Sequence, residues 1–166
     1  MERLPEGTRR LAVQLRDGLE PGWFWSALTD YGNLSTFIPN LATSRLIWRR
    51  GSTVCLEQVG CQQFCGLRFS AKVELELNEE PEPDVSGGQL RFAMRRGDFR
   101  RFEGVWVIAP EPLEGRLGTR LLYDLTVQGR PGMPIGLIEQ RLRDDLAANL
   151  RAVQQEARRR AGSEKT

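Results

Sequence analysis

Cys61 and Cys65, at C-x-x-x-C spacing, are the two residues of this chain that most resemble a chemical pair. Thiolates so placed could hold a metal or exchange a disulfide. Zinc wants four nitrogen or sulfur ligands, however, and the 166 residues include three cysteines and no histidine. On one strand the pair would stand four residues apart at about 3.3 Å per residue, beyond the reach of a disulfide. Cys55, Cys61 and Cys65 are therefore read as small core or sheet-face residues, and no metal or cofactor is expected. The lack of histidine also removes Ser-His-Asp and Cys-His nucleophiles and the usual base near neutral pH. There is no G-x-S-x-G, no G-K-[ST] phosphate loop and no G-x-G-x-x-G. Any catalysis would fall to carboxylates, tyrosine, arginine or cysteine.

Three polar features remain. Tyr123 falls on the inward face of a predicted strand and could hydrogen-bond a ligand carbonyl; the plainer reading is a hydroxyl at the sheet edge. Arg95, Arg96, Arg100 and Arg101 surround a turn at Gly97-Asp98 and could meet an anionic membrane surface. The plainer reading there is a solvated hairpin with Asp98 and Glu103 as counterions. Asp30 sits in a turn, where capping fits better than acid–base work.

Composition bounds the classes. The chain is 40% apolar and 28% charged, ordinary for a globular protein, and has room for a core and a cavity. A formal charge of +2 does not argue for nucleic acid. No apolar run approaches the ~20 residues that span a bilayer, and MERLPEGTRR lacks a signal-peptide core, so a cytoplasmic protein is expected. An odd cysteine count argues against a disulfide framework.

The elements that must position any site are read from periodicity. Arg10–Arg16 alternates as a first strand, with Leu11, Val13 and Leu15 on one face. Glu20-Pro21-Gly22 breaks it and opens a short aromatic helix, Trp23–Leu28. Asp30–Asn33 is a turn, and Asn33 or Ser35 could cap a second short helix that Pro39 stops. Strands follow over Thr43–Arg50 and over Thr53–Phe69, the latter bent at Gly60 or Gly66. Ser70–Leu77 alternates most cleanly: Ala71, Val73, Leu75 and Leu77 face one way, Lys72, Glu74 and Glu76 the other. One dry and one wet face suit an antiparallel sheet. Asn78–Gly88 reads as the most polar loop. Gln89–Arg95, Arg101–Ile108 and Thr119–Val127 are further strands, with a Pro/Gly-rich link at Ala109–Gly118. From Ile135 an apolar stripe (Ile138, Leu142, Leu146, Leu150, Val153, Ala157) runs over about six helical turns, with Gly162 suited to a stop. This helix must cover the dry face of the sheet.

That order is the helix-grip arrangement, and the residues carry a resemblance as well. W-x-x-L-T-D-Y-x-N-L-S-T-F-I-P-N-L at Trp25–Leu41 resembles the opening of the polyketide cyclase/dehydrase and coenzyme-Q-binding branch of the START-like (SRPBCC) superfamily. So do G-D-F-R-R-F-E-G-x-W at Gly97–Trp106, G-T-R-L-x-Y at Gly118–Tyr123 and P-x-G-L-I-E-Q-R-L-R-D-D-L-x-x-N-L at Pro134–Leu150. The resemblance runs over roughly Arg10–Glu156. It is specific for the fold and weak for the activity, because most of these are turn, packing and helix residues.

The expectation is an α+β helix-grip fold: a curved antiparallel sheet of about seven strands around a long C-terminal helix, with two short helices after the first strand. It would form one START-like domain over residues 1–166, with a core of about 10–157 and short flexible termini. The resemblance implies an apolar pocket between sheet and helix. The residues expected to bind ligand are Phe69, Phe92, Met94, Trp106, Tyr123 and Leu125 from strands, Ile138, Leu142 and Leu146 from the helix, and Phe37 and Ile38 as a lid. None is expected to be catalytic. The favoured function is a non-catalytic carrier of a hydrophobic small molecule such as an isoprenoid quinone or lipid, with transient membrane contact through the arginine hairpin. The alternative is an aromatic polyketide cyclase or dehydratase using the same pocket.

Overall fold

In the computed structural model, the described residues are 2–3, 7–64, 67–84, 87–132 and 135–164, with the backbone alone described at 2–3, 62–64, 67–69, 135–138 and 164. In chain order they form β1 (Glu2–Arg3), β2 (Thr8–Asp17), α1 (Pro21–Leu28), a 3-10 helix (Tyr31–Thr36), β3 (Leu41–Arg50), β4 (Thr53–Phe64), β5 (Leu67–Glu82), β6 (Gly87–Gly97), β7 (Phe99–Leu113), β8 (Arg116–Gly129) and α2 (Ile135–Glu164). All strands join one antiparallel sheet in the order β1-β2-β8-β7-β6-β5-β4-β3, seven long strands and the two-residue β1. The sheet is open and curved and wraps α2, as the helix-grip reading requires.

The connection between β2 and β3 crosses from one side of the sheet to its far edge, and α1 and the 3-10 helix fill that crossing. Pro21 opens α1, where its missing N–H costs nothing, and Phe24 on the inner face is fully buried. The second short helix is a 3-10 turn that starts at Tyr31, so Asp30-Tyr31-Gly32-Asn33 is its first turn rather than a separate one. Asp30 serves there as a fastener. Its carboxylate accepts from Asn33 Nδ2 at 3.0 Å and from Arg160 Nη2 at 2.7 Å.

Two predicted loops are strand. Asn78–Glu82 continues β5, pairing with β6 as far as Glu82↔Gly87. Ala109–Leu113 continues β7, pairing with β8 around a tight turn at Glu114 and Gly115, both at positive φ (50° and 80°). The prolines fit because each lies where its strand has lost one neighbour. The β4–β5 ladder begins at Asn78, short of Pro81, and the β6–β7 ladder stops at Ile108, short of Pro110 and Pro112. A proline at such an edge removes no ladder bond.

The α2 helix holds 30 residues and buries Leu142, Leu146, Leu150, Val153 and Ala157, the predicted stripe, continuing past Gly162 to Glu164. Polar ties fix it along its length. Arg9 Nε on β2 donates to Glu139 at 2.9 Å. Asp17, buried at the end of β2, accepts from Gln154 Nε2 at 2.7 Å and Arg158 Nε at 2.8 Å. Arg160 donates to the Ser26 carbonyl of α1 at 3.0 Å. These ties fasten α2 to β2 and to α1.

Candidate functional site: a cavity between sheet and helix

Between the concave face and α2 the side chains do not meet, leaving a cavity of about 300 Å³. Its walls follow from strand alternation, successive inward residues lining it from each strand. β4 gives Leu56, Gln58 and Gly60, and β5 gives Ala71, Val73, Leu75 and Leu77, the dry face predicted at Ser70–Leu77. Leu90 and Phe92 come from β6, Phe99, Phe102 and Trp106 from β7, and Tyr123 and Leu125 from β8. Leu28, Tyr31 and Leu34 close the side of the crossing helices.

The aromatic wall rests on one missing side chain. A Cβ at Gly104 would lie 2.0 Å from the Asp124 carbonyl oxygen and 3.0 Å from the Phe92 ring. Glycine there lets Phe92 lie over β7, with its centroid 5.9 Å from Phe102 and 6.2 Å from Tyr123. Trp106 stacks on its cross-strand partner Tyr123.

On α2 the cavity is lined by Leu142, Asp145, Leu146 and Asn149, one face at spacings of three and four. Pro39 and Asn40 both line the cavity and are exposed, which puts them at its rim. Asn40, at φ 63°, donates from Nδ2 to Asp145 Oδ1 at 3.2 Å and so clasps the loop after the 3-10 helix to α2.

The polar groups of the wall differ in how they are satisfied. The Tyr31 hydroxyl donates to Glu79, which also receives Arg49 Nη1 at 2.7 Å. Burial, then this hydrogen bond to a carboxylate, pushes the Tyr31 pKa far above the ordinary phenol value. Gln58 Nε2 donates to Ser44 at 3.2 Å. Burial alone drives the Tyr123 pKa up, so its hydroxyl stays protonated. Asn149 Oδ1 is shielded from solvent and has no hydrogen-bond partner among the described residues. Asp145 is the only carboxylate of the wall, and no arginine or lysine lines it among the described residues.

Of the expected ligand residues, Ile38, Phe92, Trp106, Tyr123, Leu125, Leu142 and Leu146 line this cavity. Phe37 and Met94 pack against the core and are not part of the wall. Ile38 lines the cavity where its neighbour Phe37 does not, and Met94 lies beyond Phe92 where β6 shifts out of register with β5. The side chains of Phe69 and Ile138 fall outside the described residues. Tyr31, Gln58, Asp145 and Asn149 went unrecognised in the sequence. Asn149 did carry a signal, a polar residue three positions after Leu146 on the edge of the apolar stripe.

Three of the four hairpin arginines have local partners. Arg96 pairs with Glu74 at 2.7 Å, Arg101 with Glu103, and Arg95 with Glu76 at 3.8 Å beneath the Trp48 ring. Asp98 accepts from the Lys72 backbone N–H at 2.7 Å rather than serving the arginines. Cys55 is buried, with its Sγ 3.6 Å from Glu74 Oε1, Cys61 is half-buried, with its Sγ 3.9 Å from Ser70 Oγ, and Cys65 lies outside the described residues. No group of three or more potential ligands stands together for a metal among the described residues. No helix among them is long and apolar enough to cross a membrane.

Comparison with known proteins agrees with this architecture. No curated protein matches the sequence. Among solved structures, the STAR-related lipid transfer protein of Xanthomonas axonopodis is 14% identical with a TM-score of 0.75, covering 95% of this chain and 97% of that one. The ZhuI aromatase/cyclase of Streptomyces sp. R1128 is 14% identical with a TM-score of 0.73, covering 93% and 96%. A START superfamily protein of Mycobacterium smegmatis is 16% identical with a TM-score of 0.68, covering 90% and 97%. At such identities the likeness is one of fold. The family described as polyketide cyclase / dehydrase and lipid transport matches residues 19–153, most of the chain. The chain therefore belongs to that family, within the START-like superfamily.

Proposed function

We propose that this protein binds a hydrophobic small molecule between sheet and helix and carries it unchanged. The observation that supports this best is the cavity itself, about 300 Å³ walled mainly by leucine, valine and aromatic side chains. That is the lower end of the range for small-molecule sites, and such a wall binds by removing apolar area from water at roughly 25 cal/mol per Å². The wall's ionisable groups favour binding over turnover. Tyr31 is committed to Glu79, Asp145 to Asn40, and both tyrosines hold their protons far above neutral pH. None of these forms an acid–base pair with another. An isoprenoid quinone or a lipid fits the character of the wall.

One feature favours the cyclase or dehydratase alternative: the Tyr123 O–H faces the cavity and could polarise a ketone. The two readings part on turnover, since a carrier returns its ligand intact.

Native mass spectrometry of the purified protein, followed by organic extraction and lipid analysis, tests the proposal. A stoichiometric, chemically unaltered hydrophobic molecule is the expected result. A protein that stays empty against quinone and lipid panels yet converts a poly-β-ketone would overturn the carrier reading.

A further inference from the structure

The cavity is open at one end and closed at the other. Pro39, Asn40 and Ser70 are its exposed lining residues. They stand together, because the Asn40 carbonyl accepts from the Cys61 N–H at 2.8 Å and Cys61 pairs with Ser70. The opposite end is buried. Tyr123 pairs there with Trp106, Trp106 with Leu90, and Leu90 with Glu79, which lies at the other end of β5 from Ser70 and receives the Tyr31 O–H. At this closed end the Tyr123 hydroxyl has no hydrogen-bond partner among the described residues, and burial alone raises its pKa. The residue is more than nine-tenths buried, yet its hydroxyl is not sealed by protein as Asn149 Oδ1 is. The space it meets is therefore the cavity.

Resting on the binding reading above, we infer that the ligand sits head first: a carbonyl lies at the closed end against the Tyr123 O–H, and an apolar body trails towards Pro39, Asn40 and Ser70. Buried polar groups are normally paired, and an unpaired donor opposes folding, so the ligand supplies what the protein does not. Water does not serve, because it needs two or more polar partners and the rings beside Tyr123 are those of Trp106 and Phe92. A carbonyl asks for a donor and nothing else, whereas an alcohol brings a proton that needs an acceptor of its own. Between the two ends the wall is mainly apolar, Phe92, Phe102 and Leu125 among it, and rewards a hydrocarbon body.

Four probes on one ring frame test this by isothermal titration. The ketone 2-acetylnaphthalene and the hydrocarbon of matching shape, 2-isopropylnaphthalene, isolate the hydrogen bond. Tyr123→Phe should weaken the ketone about five- to tenfold, the scale of one hydrogen bond, and leave the hydrocarbon within about twofold. The infrared carbonyl stretch of the bound ketone should move to higher frequency in the same variant. Loss of an unpaired hydroxyl should leave the Tm of the ligand-free protein no lower than before. Two isomeric ketones of equal apolar size then test direction. In 6-butyl-2-acetylnaphthalene the chain lies away from the carbonyl, and in 2-hexanoylnaphthalene it lies beyond it; the first should bind about tenfold tighter. Equal losses for ketone and hydrocarbon in Tyr123→Phe, a lowered Tm, or a hexanoyl isomer that binds as well as its partner would overturn the inference while the carrier reading stands. If none of the four probes binds, the cavity reading fails and the inference with it.

Discussion

The rings of Trp106 and Tyr123 lie face to face across the β7–β8 ladder, centroids 4.0 Å apart and planes 13° from parallel. Both residues are more than nine-tenths buried and both face the cavity, so one stacked pair forms core and binding wall together. Trp106→Ala is therefore expected to cost stability and affinity at once. A loss of about 3–5 kcal/mol in urea unfolding is the range for deleting so large a buried ring. Arg96→Ala, which breaks one exposed ion pair, should stay within about 0.5 kcal/mol and leave affinity unchanged. If Trp106→Ala lowered stability while a bound ligand kept its affinity, Trp106 would be no part of the binding wall.

Leu142 tests the helix side of the same wall. It is 8% exposed and faces the cavity, so part of its surface borders empty space rather than packed atoms. Leu142→Ala should cost about 2–3 kcal/mol, the low end for buried leucine, while ligand affinity falls about tenfold or more. Chemical denaturation and a binding titration on one preparation separate the two losses. A cost near 5 kcal/mol with unchanged affinity would mark Leu142 as ordinary core.

The Asn40–Asp145 clasp predicts an effect on rates. Glycine at position 40 keeps the positive φ and removes the side chain that reaches α2. Asn40→Gly should speed ligand release several-fold in stopped-flow exchange, with equilibrium stability moving by no more than about 0.5 kcal/mol. Unaltered release would mean that ligand leaves by another route.

Acid should loosen α2 before it disrupts the sheet. Hydrogen bonds from Arg159, opposed by burial and reinforced by Arg160, hold the Glu156 carboxyl at about 2. Asn33, then Arg160 against burial, lowers Asp30 as well. At Asp17 burial pushes upward, but Gln154, the Leu19 N–H and Arg158 outweigh it. A carboxyl whose folded pKa is depressed contributes its stability above the unfolded value and loses it as pH falls through the folded one. Thermal midpoints should therefore fall progressively from about pH 4.5 down to about pH 2. Glu156→Gln should show a shallower fall over that window and a lower midpoint at pH 7. Parallel acid limbs would exclude Glu156 as a contributor.

What the sequence disclosed depended on whether one residue type did one job. The alternation from Ala71 to Leu77 and the stripe from Leu142 to Ala157 each name a face, because burial there is the only demand on the side chain. Asn78–Glu82 misled for the opposite reason. Its polar residues suit a loop and equally suit the wet stretch of a long hairpin arm, and only pairing with Gly87–Arg91 decides between them. Pro81, Pro110 and Pro112 are strand breakers by type and harmless by position, since the neighbouring ladder has already ended. The apolar wall was partly legible for the same reason as the faces. Its polar points were less so: Asn149, which lines the cavity, and Gln154, which meets Asp17, both stand beside the apolar stripe, and only the fold tells the two apart.

The order of the strands also has a meaning in time. Every long ladder joins strands adjacent in sequence except β2 with β8, whose partners run from Thr8↔Gln128 to Asp17↔Thr119, roughly a hundred residues or more apart. As the chain leaves the ribosome, β3 to β8 can zip together as successive hairpins while β2, made early, waits for its partner. Only then does α2 emerge to lie across the concave face. Until that final helix docks, the apolar floor of the sheet is open to water and to any chaperone. The chamber is thus closed only after α2 has been made and laid across the sheet.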